Sequence, residues 1–283
     1  MKINIRKLVK NILVFLTNKI IKKSDIKIVS IFGNYSSDVA VEGIYHVFKE
    51  NGYVVRRNYI SFEKDIDIPI YILTNRENFS LFNFILALFK FPILYLHLDA
   101  LNKGHKNPKA SGCHASGCYV ILDLTTYSPS VVKYYSRFIH ADICVFLDIT
   151  QKSLIYQNKI IEDSKPTTKI IIDGDSKLKS SLNYDISKKV FSFGKSVHNS
   201  LIYQNHDDLI HISYNEDVFE LKNTYKESGS IGSGAKDLDS KIVAAIALTS
   251  LESGISFHAV MAGLASFKLP HRGFQRVFEK FIK

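Results

Sequence analysis

One short loop carries the residue spacing that comes closest to phosphate chemistry. Residues 33–38 (GNYSSD) lie between an apolar strand pattern at 27–32 and a helical pattern at 39–51. In such a unit, backbone N–H groups at the helix start form an anion cradle beyond the end of the strand. A working phosphate loop also carries a lysine for the phosphates and a Ser or Thr for magnesium, but Ser37 and Asp38 stand there. The residues alone therefore favour an ordinary turn with Asp38 as helix N-cap. The functional alternative is a remnant nucleotide-binding loop formed by Gly33, Asn34, Ser36, Ser37 and Asp38.

A carboxylate at the end of another strand pattern is the second candidate. Asp123 lies in the segment 119–124 (YVILDL). Carboxylate oxygens are ligands that magnesium prefers, so Asp123 could hold a magnesium ion near a bound nucleotide. A single acidic residue at the end of a strand is also typical of a cap or turn, and this remains the structural alternative.

A cysteine- and histidine-rich segment, HKNPKASGCHASGC, offers soft and imidazole ligands of the kind that zinc prefers. The tetrapeptide ASGC occurs twice in succession, so a small duplication within a loop is the favoured interpretation. The candidate zinc ligands are His105, Cys113, His114 and Cys118. The glycines of 229–234 do not lie between a strand pattern and a helical pattern, as those of a dinucleotide-binding turn do. A flexible loop is therefore the favoured interpretation.

The order of elements predicts an α/β protein with a mainly parallel, doubly wound sheet. Short apolar strand patterns alternate with helical ones, and an alternating stretch at 199–223 predicts a small antiparallel appendage. The strongest helical patterns near the C-terminus are 240–253 and 257–267. The very apolar window 79–100 is interrupted by Lys90 and Pro92, which predicts a helix ending near Lys90 and an extended segment after Pro92.

Composition places limits on location and partners. The chain of 283 residues has a net charge of +10, a pI near 9.3 and three cysteines, which suits a reducing cytoplasm better than a disulfide framework. Residues 1–24 predict a basic amphipathic helix, and 25–283 one domain. Residues 1–23 could contact an anionic membrane, although a surface helix leading into the first strand is the favoured interpretation. No nucleic-acid-binding motif is present, so a nucleic-acid partner is disfavoured.

Several segments, taken in order, resemble the central ATP-binding domain of the Mur ligases, closest to the type that adds D-alanyl-D-alanine. IFGNYSSDVAVEGIYHVF (31–48) resembles the family's ITGS-x-GKT-x-T followed by a helix. The stretch 119–150 resembles LVLE-x-G, PGDI and VIT-x-I in succession. KIVAAIALTSLESGIS (241–256) resembles the family's AAIA helix, and LASFKLPHRGFQRV (264–277) the end of its domain. The resemblance covers about residues 25–277 and does not reach the family's N- and C-terminal domains.

The resemblance also shows which motif positions carry other residue types. The phosphate-loop lysine falls on Ser37 and the following threonine on Asp38. Two acidic positions that help to hold magnesium fall on Asp123, one methylene shorter than the family's glutamate, and on Asp65. The paired asparagines that precede Asp65 in the family are replaced by Glu63 and Lys64.

The resemblance further implies two nucleotide contacts toward the end of the domain. The asparagine that faces the adenine falls near Asp239 or Ser240, whereas Arg272 matches the family's arginine. The histidine after the VIT-x-I strand falls near Ser153.

Together these matches imply a Mur ligase fold with doubtful ATP and magnesium binding. A ligase must stabilise a transferring phosphoryl group, and the loss of one electrostatic donor typically lowers the rate on the order of 100-fold. The leading expectation is therefore a catalytically degenerate protein that binds a nucleotide weakly or docks on a true Mur ligase. The alternatives are an ATP-dependent ligase completed by a separately encoded domain, and a basic membrane-surface or nucleic-acid-associated protein.

Overall fold

The computed structural model describes residues 5–23, 26–33, 36–58, 66–76, 80–103, 118–125, 128–184, 187–206, 209–222 and 240–267. The helices are α1 (Ile5–Lys23), α2 (Ser37–Glu50), α3 (Asp67–Thr74), α4 (Leu81–Lys103), α5 (Pro129–Phe138), α6 (Gln151–Asp163), α7 (Ser240–Glu252) and α8 (Phe257–Ser266). The strands are β1 (Ile26–Phe32), β2 (Val54–Arg57), β3 (Cys118–Asp123), β4 (Ile143–Phe146), β5 (Lys169–Asp173), β6 (Lys189–Gly194), β7 (Leu201–His206), β8 (Leu209–Tyr214) and β9 (Asp217–Lys222).

The described strands form one mixed sheet in the order β2-β3-β1-β4-β5-β6-β7-β8-β9. All pairings from β2 to β7 are parallel, and β8 and β9 continue the sheet in antiparallel fashion. The predicted parallel α/β sheet with an antiparallel appendage is therefore confirmed. Because β1 lies between β3 and β4, the loop after β1 is flanked by the carboxyl ends of two neighbouring strands.

Helices cover both faces of the sheet, which explains why the central strands are apolar throughout. In β1, Val29 and Ile31 pack into the core beneath α2, α7 and α8, whereas Ile28 and Phe32 pack into the core on the opposite face. The second core is completed mainly by α5 and α6. A third apolar cluster joins α1, α3 and α4.

Helix α4 corrects the expectation for the window 79–100. The predicted end near Lys90 is wrong, because one helix runs from Leu81 to Lys103 with Pro92 inside it. An interior proline costs a helix about 3 kcal/mol or more. Contacts of α4 with α1 and α3, including buried Ala87, supply the packing that sets against this cost. The extended segment predicted after Pro92 is likewise wrong.

Helix α1 packs against the rest of the molecule through its apolar face. Leu13, Leu16 and Ile20 are buried against α3 and α4. In the described part of the chain, no helix has both the length and the apolar composition needed to cross a bilayer.

Helix α6 was not predicted, because its buried face carries polar residues. Its N-terminus has a capping box in which the Ser153 N–H donates to Thr150 Oγ1 at 3.2 Å and the Thr150 N–H donates to Ser153 Oγ at 3.0 Å. Gln157 is fully buried and its amide donates to the Asp148 carbonyl at 2.7 Å. A strong local cap therefore defines a helix whose hydrophobic periodicity is weak.

Candidate functional site

The loop between β1 and α2 lies where ligands bind in doubly wound sheets. Gly33 follows β1 directly in a buried position, and a Cβ atom there would lie 2.9 Å from Leu147 Cβ, which is closer than real Cβ contacts. A glycine is thus required for the close approach of β1 to the segment that follows β4. Asn34 lies outside the described residues.

Ser36, and not Asp38, occupies the N-cap position of α2. Its carbonyl accepts a hydrogen bond from the Ala40 N–H at 3.1 Å, and its side chain makes no capping bond. Its φ of 54° is left-handed, a conformation that favours glycine. Asp38 lies two residues after Ser36, in the first turn and exposed to solvent, so the expectation that it caps the helix is wrong.

Ser37 and Asp123 meet at the carboxyl edge of the sheet although 86 positions separate them in the sequence. Ser37 Oγ donates to Asp123 Oδ2 at 3.3 Å and lies 2.7 Å from Thr125 Oγ1. Asp123 Oδ1 accepts from the Thr125 N–H at 3.0 Å and from the Thr125 hydroxyl. Both carboxylate oxygens are therefore engaged by groups of the chain itself.

The electrostatics of this cluster disfavour the charged carboxylate. Asp123 is buried, and desolvation raises its pKa above the usual aspartate value, although the bonds from Thr125 and Ser37 lower it and the Asp38 charge raises it further. A neighbouring cation would lower the pKa instead. The structure thus places hydroxyl groups around a buried carboxyl whose pKa is raised.

Asn58 fixes the backbone at this carboxyl and was missed in the sequence. Its side chain accepts from the Asp123 N–H at 2.8 Å and donates to the Asp123 carbonyl at 3.3 Å. Asn58 follows β2 directly and is buried, so the only signal was a polar residue at the end of a short strand.

The described residues of the cluster do not test the magnesium prediction, and Asp123 as a metal ligand stays a prediction. They provide one carboxylate, and its oxygens already accept bonds from the two hydroxyl groups that would have to turn toward a metal. Among the described residues there is no group of three His, Cys, Asp or Glu side chains that could hold a metal ion. Asp65, Asp239 and Arg272 lie outside the described part of the chain, so their predicted roles stay predictions.

Of the candidate zinc ligands only Cys118 is described, so the zinc site stays a prediction. This residue begins β3, half-buried, whereas Asp123 ends the same strand, so the two side chains lie roughly 16 Å apart at 3.3 Å per residue. Cys118 therefore does not belong to the cluster at the carboxyl edge. His105, Cys113 and His114 lie outside the described residues.

A second polar network at the carboxyl edge was also missed. The Asp175 carboxylate accepts from the backbone N–H groups of Lys195 and Ser196 and from the Asn199 amide. Burial raises the Asp175 pKa, but these bonds outweigh it and hold the pKa below the usual value. The side chain thus ties the turn after β5 to the turn after β6.

A groove of about 550 Å³ lies elsewhere, between α5 and α6. Its walls include Lys133, Tyr156, Lys159 and Glu162, and none of the predicted site residues lines it. The groove therefore gives no support to a ligand at the β1–α2 loop.

No protein-family model and no curated protein matches the chain. Solved structures do match. The chain is similar to MurF from Acinetobacter baumannii with a TM-score of 0.65 and 10% identity over 93% of this chain and 51% of that one. It is also similar to MurF ligase from Thermotoga maritima in complex with ADP, with a TM-score of 0.61 and 12% identity over 93% and 53% of the two chains. A pseudomurein peptide ligase type C from Methanothermus fervidus gives a TM-score of 0.57 and 12% identity over 88% and 51%.

The chain spans about half the length of these solved structures. Identities of 10–12% carry information about the fold and not about the reaction. The predicted resemblance to the Mur ligases is confirmed at the level of the fold: this chain is an α/β domain with the fold of the Mur ligases.

Proposed function

We propose that this protein is a catalytically degenerate Mur-ligase-like domain, which serves as a binding or interaction module related to cell-wall peptide ligation. The observation that carries the proposal is the closed hydrogen-bonded cluster of Ser37, Thr125 and Asp123 at the carboxyl end of β1 and β3. In the resemblance drawn from the sequence, Ser37 stands in place of the phosphate-loop lysine. Asp123 stands in place of a magnesium ligand.

Charge supports the proposal. Phosphoryl transfer requires cations that offset the charge of the transferring group. Here the first turn of α2 presents the exposed Asp38 carboxylate, with the Asp123 carboxyl beside it. The helix N-terminus, which would otherwise attract a phosphate, is therefore partly compensated by the chain's own acidic side chains.

The backbone of the loop favours a second candidate, a weak remnant nucleotide site. Ser36 keeps the left-handed conformation at the position where the family motif has a glycine, and Gly33 keeps the close contact at the end of β1. Backbone N–H groups at a helix start attract an anion even when the charged side chains of the motif have changed. An ATP-dependent ligase completed by a separate domain would use the same helix start.

Calorimetric titration of the full chain with ATP in the presence of magnesium tests both candidates. We expect no binding at micromolar ATP for the natural sequence. The double variant Ser37→Lys/Asp38→Thr should bind at least about tenfold more tightly than the natural sequence, since a hydrogen bond to a charged group is worth about 1.5–3 kcal/mol. This gain would show that the backbone cradle is intact and that the side chains are what it lacks.

Ser256→Lys is the control, because Ser256 caps α8 without a side-chain bond and the variant places a lysine at another helix start, as Ser37→Lys does at α2. It should leave ATP affinity unchanged. Micromolar ATP binding with hydrolysis by the natural sequence would overturn the degenerate assignment. Failure of the double variant to gain affinity would exclude the remnant site.

A further inference from the structure

One side of α4 is apolar and exposed along most of its described length. Half of the twelve exposed large apolar side chains in the described part of the chain lie on this helix. They recur at helical spacing and form one stripe of about 18 Å, at 1.5 Å per residue. We call this set the α4 stripe: Leu81, Phe82, Ile85, Leu88, Phe89 and Ile93.

The α4 stripe is not the core-facing side of the helix. Ala87 is buried in the cluster shared with α1 and α3, and Phe84, Phe91 and Tyr95 pack against the same cluster. A surface helix normally presents polar residues to water opposite its core-facing side. Phe82 and Phe89 are instead 68% and 70% exposed, and an exposed apolar patch of this extent marks an interaction surface.

The charged residues of α1 and of α4 along the stripe are basic. Residues 5–23 and 81–98 contain no aspartate or glutamate, and Lys90 follows directly after Phe89, whereas Asp99 lies beyond the stripe toward the end of α4. Helix α1 packs on α4, with the Lys23 ammonium 3.5 Å from the centre of the Tyr95 ring. One exposed face of α1 carries Leu8, Phe15, Lys19 and Lys22 at positions i, i+7, i+11 and i+14.

Apolar and aromatic side chains bordered by lysines are typical of helices that lie in the plane of a membrane interface. Lysines near an anionic membrane surface add to binding by attraction to the lipid headgroups. We propose that the α4 stripe and the basic face of α1 dock this protein on the surface of an anionic phospholipid bilayer. The apolar anchor is α4, because the apolar face of α1 is already buried against α3 and α4. Helix α1 contributes lysines to the membrane surface.

Vesicle flotation of the full chain tests the proposal. The protein should float with vesicles that contain phosphatidylglycerol and only weakly with vesicles of phosphatidylcholine alone. The variant Phe82→Ser/Phe89→Ser/Ile93→Ser keeps the net charge and should bind at least about tenfold more weakly, since burying a large apolar side chain is worth about 1.5–3 kcal/mol. Lys19→Glu/Lys22→Glu should weaken binding similarly, and most strongly at low salt.

The chain offers a matched control away from α4. Ile155, Val197 and Val218 are 71%, 75% and 66% exposed, so their replacement by serine removes three equally exposed apolar side chains elsewhere. This control should float like the natural protein. All the substituted side chains are exposed, so thermal unfolding followed by circular dichroism should give similar midpoints and show that each variant is folded.

Three outcomes would overturn the proposal. The first is absence of flotation with anionic vesicles. The second is equal flotation of the natural protein and the serine variant of the α4 stripe, which would assign binding to the net charge of +10 alone. The third is a concentration-dependent dimer in light scattering that the stripe variant dissociates, without any vesicle binding. That result would make the stripe a contact between copies of the chain.

Discussion

Substitution of Asp123 distinguishes two roles for its carboxyl group, a structural one through hydrogen bonds and a metal-binding one through its charge. Asparagine has nearly the same shape, can still accept from the Thr125 N–H and hydroxyl, and can donate to Ser37 Oγ. Leucine has the same branched arrangement of side-chain heavy atoms, with methyl groups in place of the oxygens, and can do none of these. The two variants therefore differ in hydrogen bonding at one position while both remove the buried charge.

The structure allows the two effects to be sized. With leucine at 123, the Thr125 N–H loses its hydrogen bond, whereas the hydroxyl groups of Ser37 and Thr125, 2.7 Å apart, can still bond to each other. One buried donor left without a partner costs about 1–3 kcal/mol, which lowers the midpoint of thermal unfolding by roughly 2–12 °C. Asp123→Asn should change stability by less than about 1 kcal/mol in either direction.

The pH dependence gives a second, independent readout. Burial raises the Asp123 pKa in the folded protein, so the folded state binds the proton more tightly than the unfolded chain. The stability that comes from this protonated carboxyl is fully present below the unfolded pKa and is lost as pH rises through the folded pKa. Asparagine does not titrate, so the stability of Asp123→Asn should rise relative to that of the natural protein as pH rises from the unfolded pKa through the folded pKa.

Thermal unfolding of the three proteins across mildly acidic to neutral pH is the assay, with ATP and magnesium added in a parallel series. The reasoning is refuted if asparagine destabilises the fold as much as leucine does. It is equally refuted if the natural protein is stabilised by ATP and magnesium and Asp123→Asn abolishes that stabilisation. Either result would mean that the charged carboxylate itself is required at this position.

Two further predictions concern parts of the fold that the proposals do not use. Gly194→Ala places a Cβ atom 2.3 Å from Asn199 Nδ2 and 2.6 Å from Asp175 Oδ1. It should lower the free energy of unfolding by about 1–3 kcal/mol in denaturant titrations. Folding lowers the Asp175 pKa, so the stability that this carboxylate contributes is present above its unfolded pKa and is lost as pH falls through its folded pKa. The difference in stability between Gly194→Ala and the natural protein should therefore shrink in acid. Lys195→Ala, which keeps the donating backbone N–H, should be nearly neutral, and an equal loss in both variants would contradict the explanation. Burial raises the Cys144 pKa to about 12, so Cys144→Ala should not change the number of thiols that react rapidly with a thiol reagent in the folded protein. It should remove one thiol after denaturation, and a lower native count would show that this thiol is accessible.

The sequence alone determined the succession of elements in the sheet. Strands β1, β3, β4 and β5 are short apolar runs because helices cover both their faces, and this pattern is local and legible. The resemblance to the Mur ligases followed from the order of such segments. It placed the Gly33 turn directly after β1 and the Asp123 carboxyl at the end of β3.

Only the tertiary structure decided what these residues contact. The bond from Ser37 to Asp123 joins positions 86 apart, and it exists because β1 and β3 are neighbours with Ile31 opposite Asp123. Continuation of α4 through Pro92 depends on packing against α1 and α3, which outweighs the local preference of a proline. The exposure of the α4 stripe was hidden for the same reason. A helix that is apolar on all sides does not reveal in its sequence which side another helix will cover.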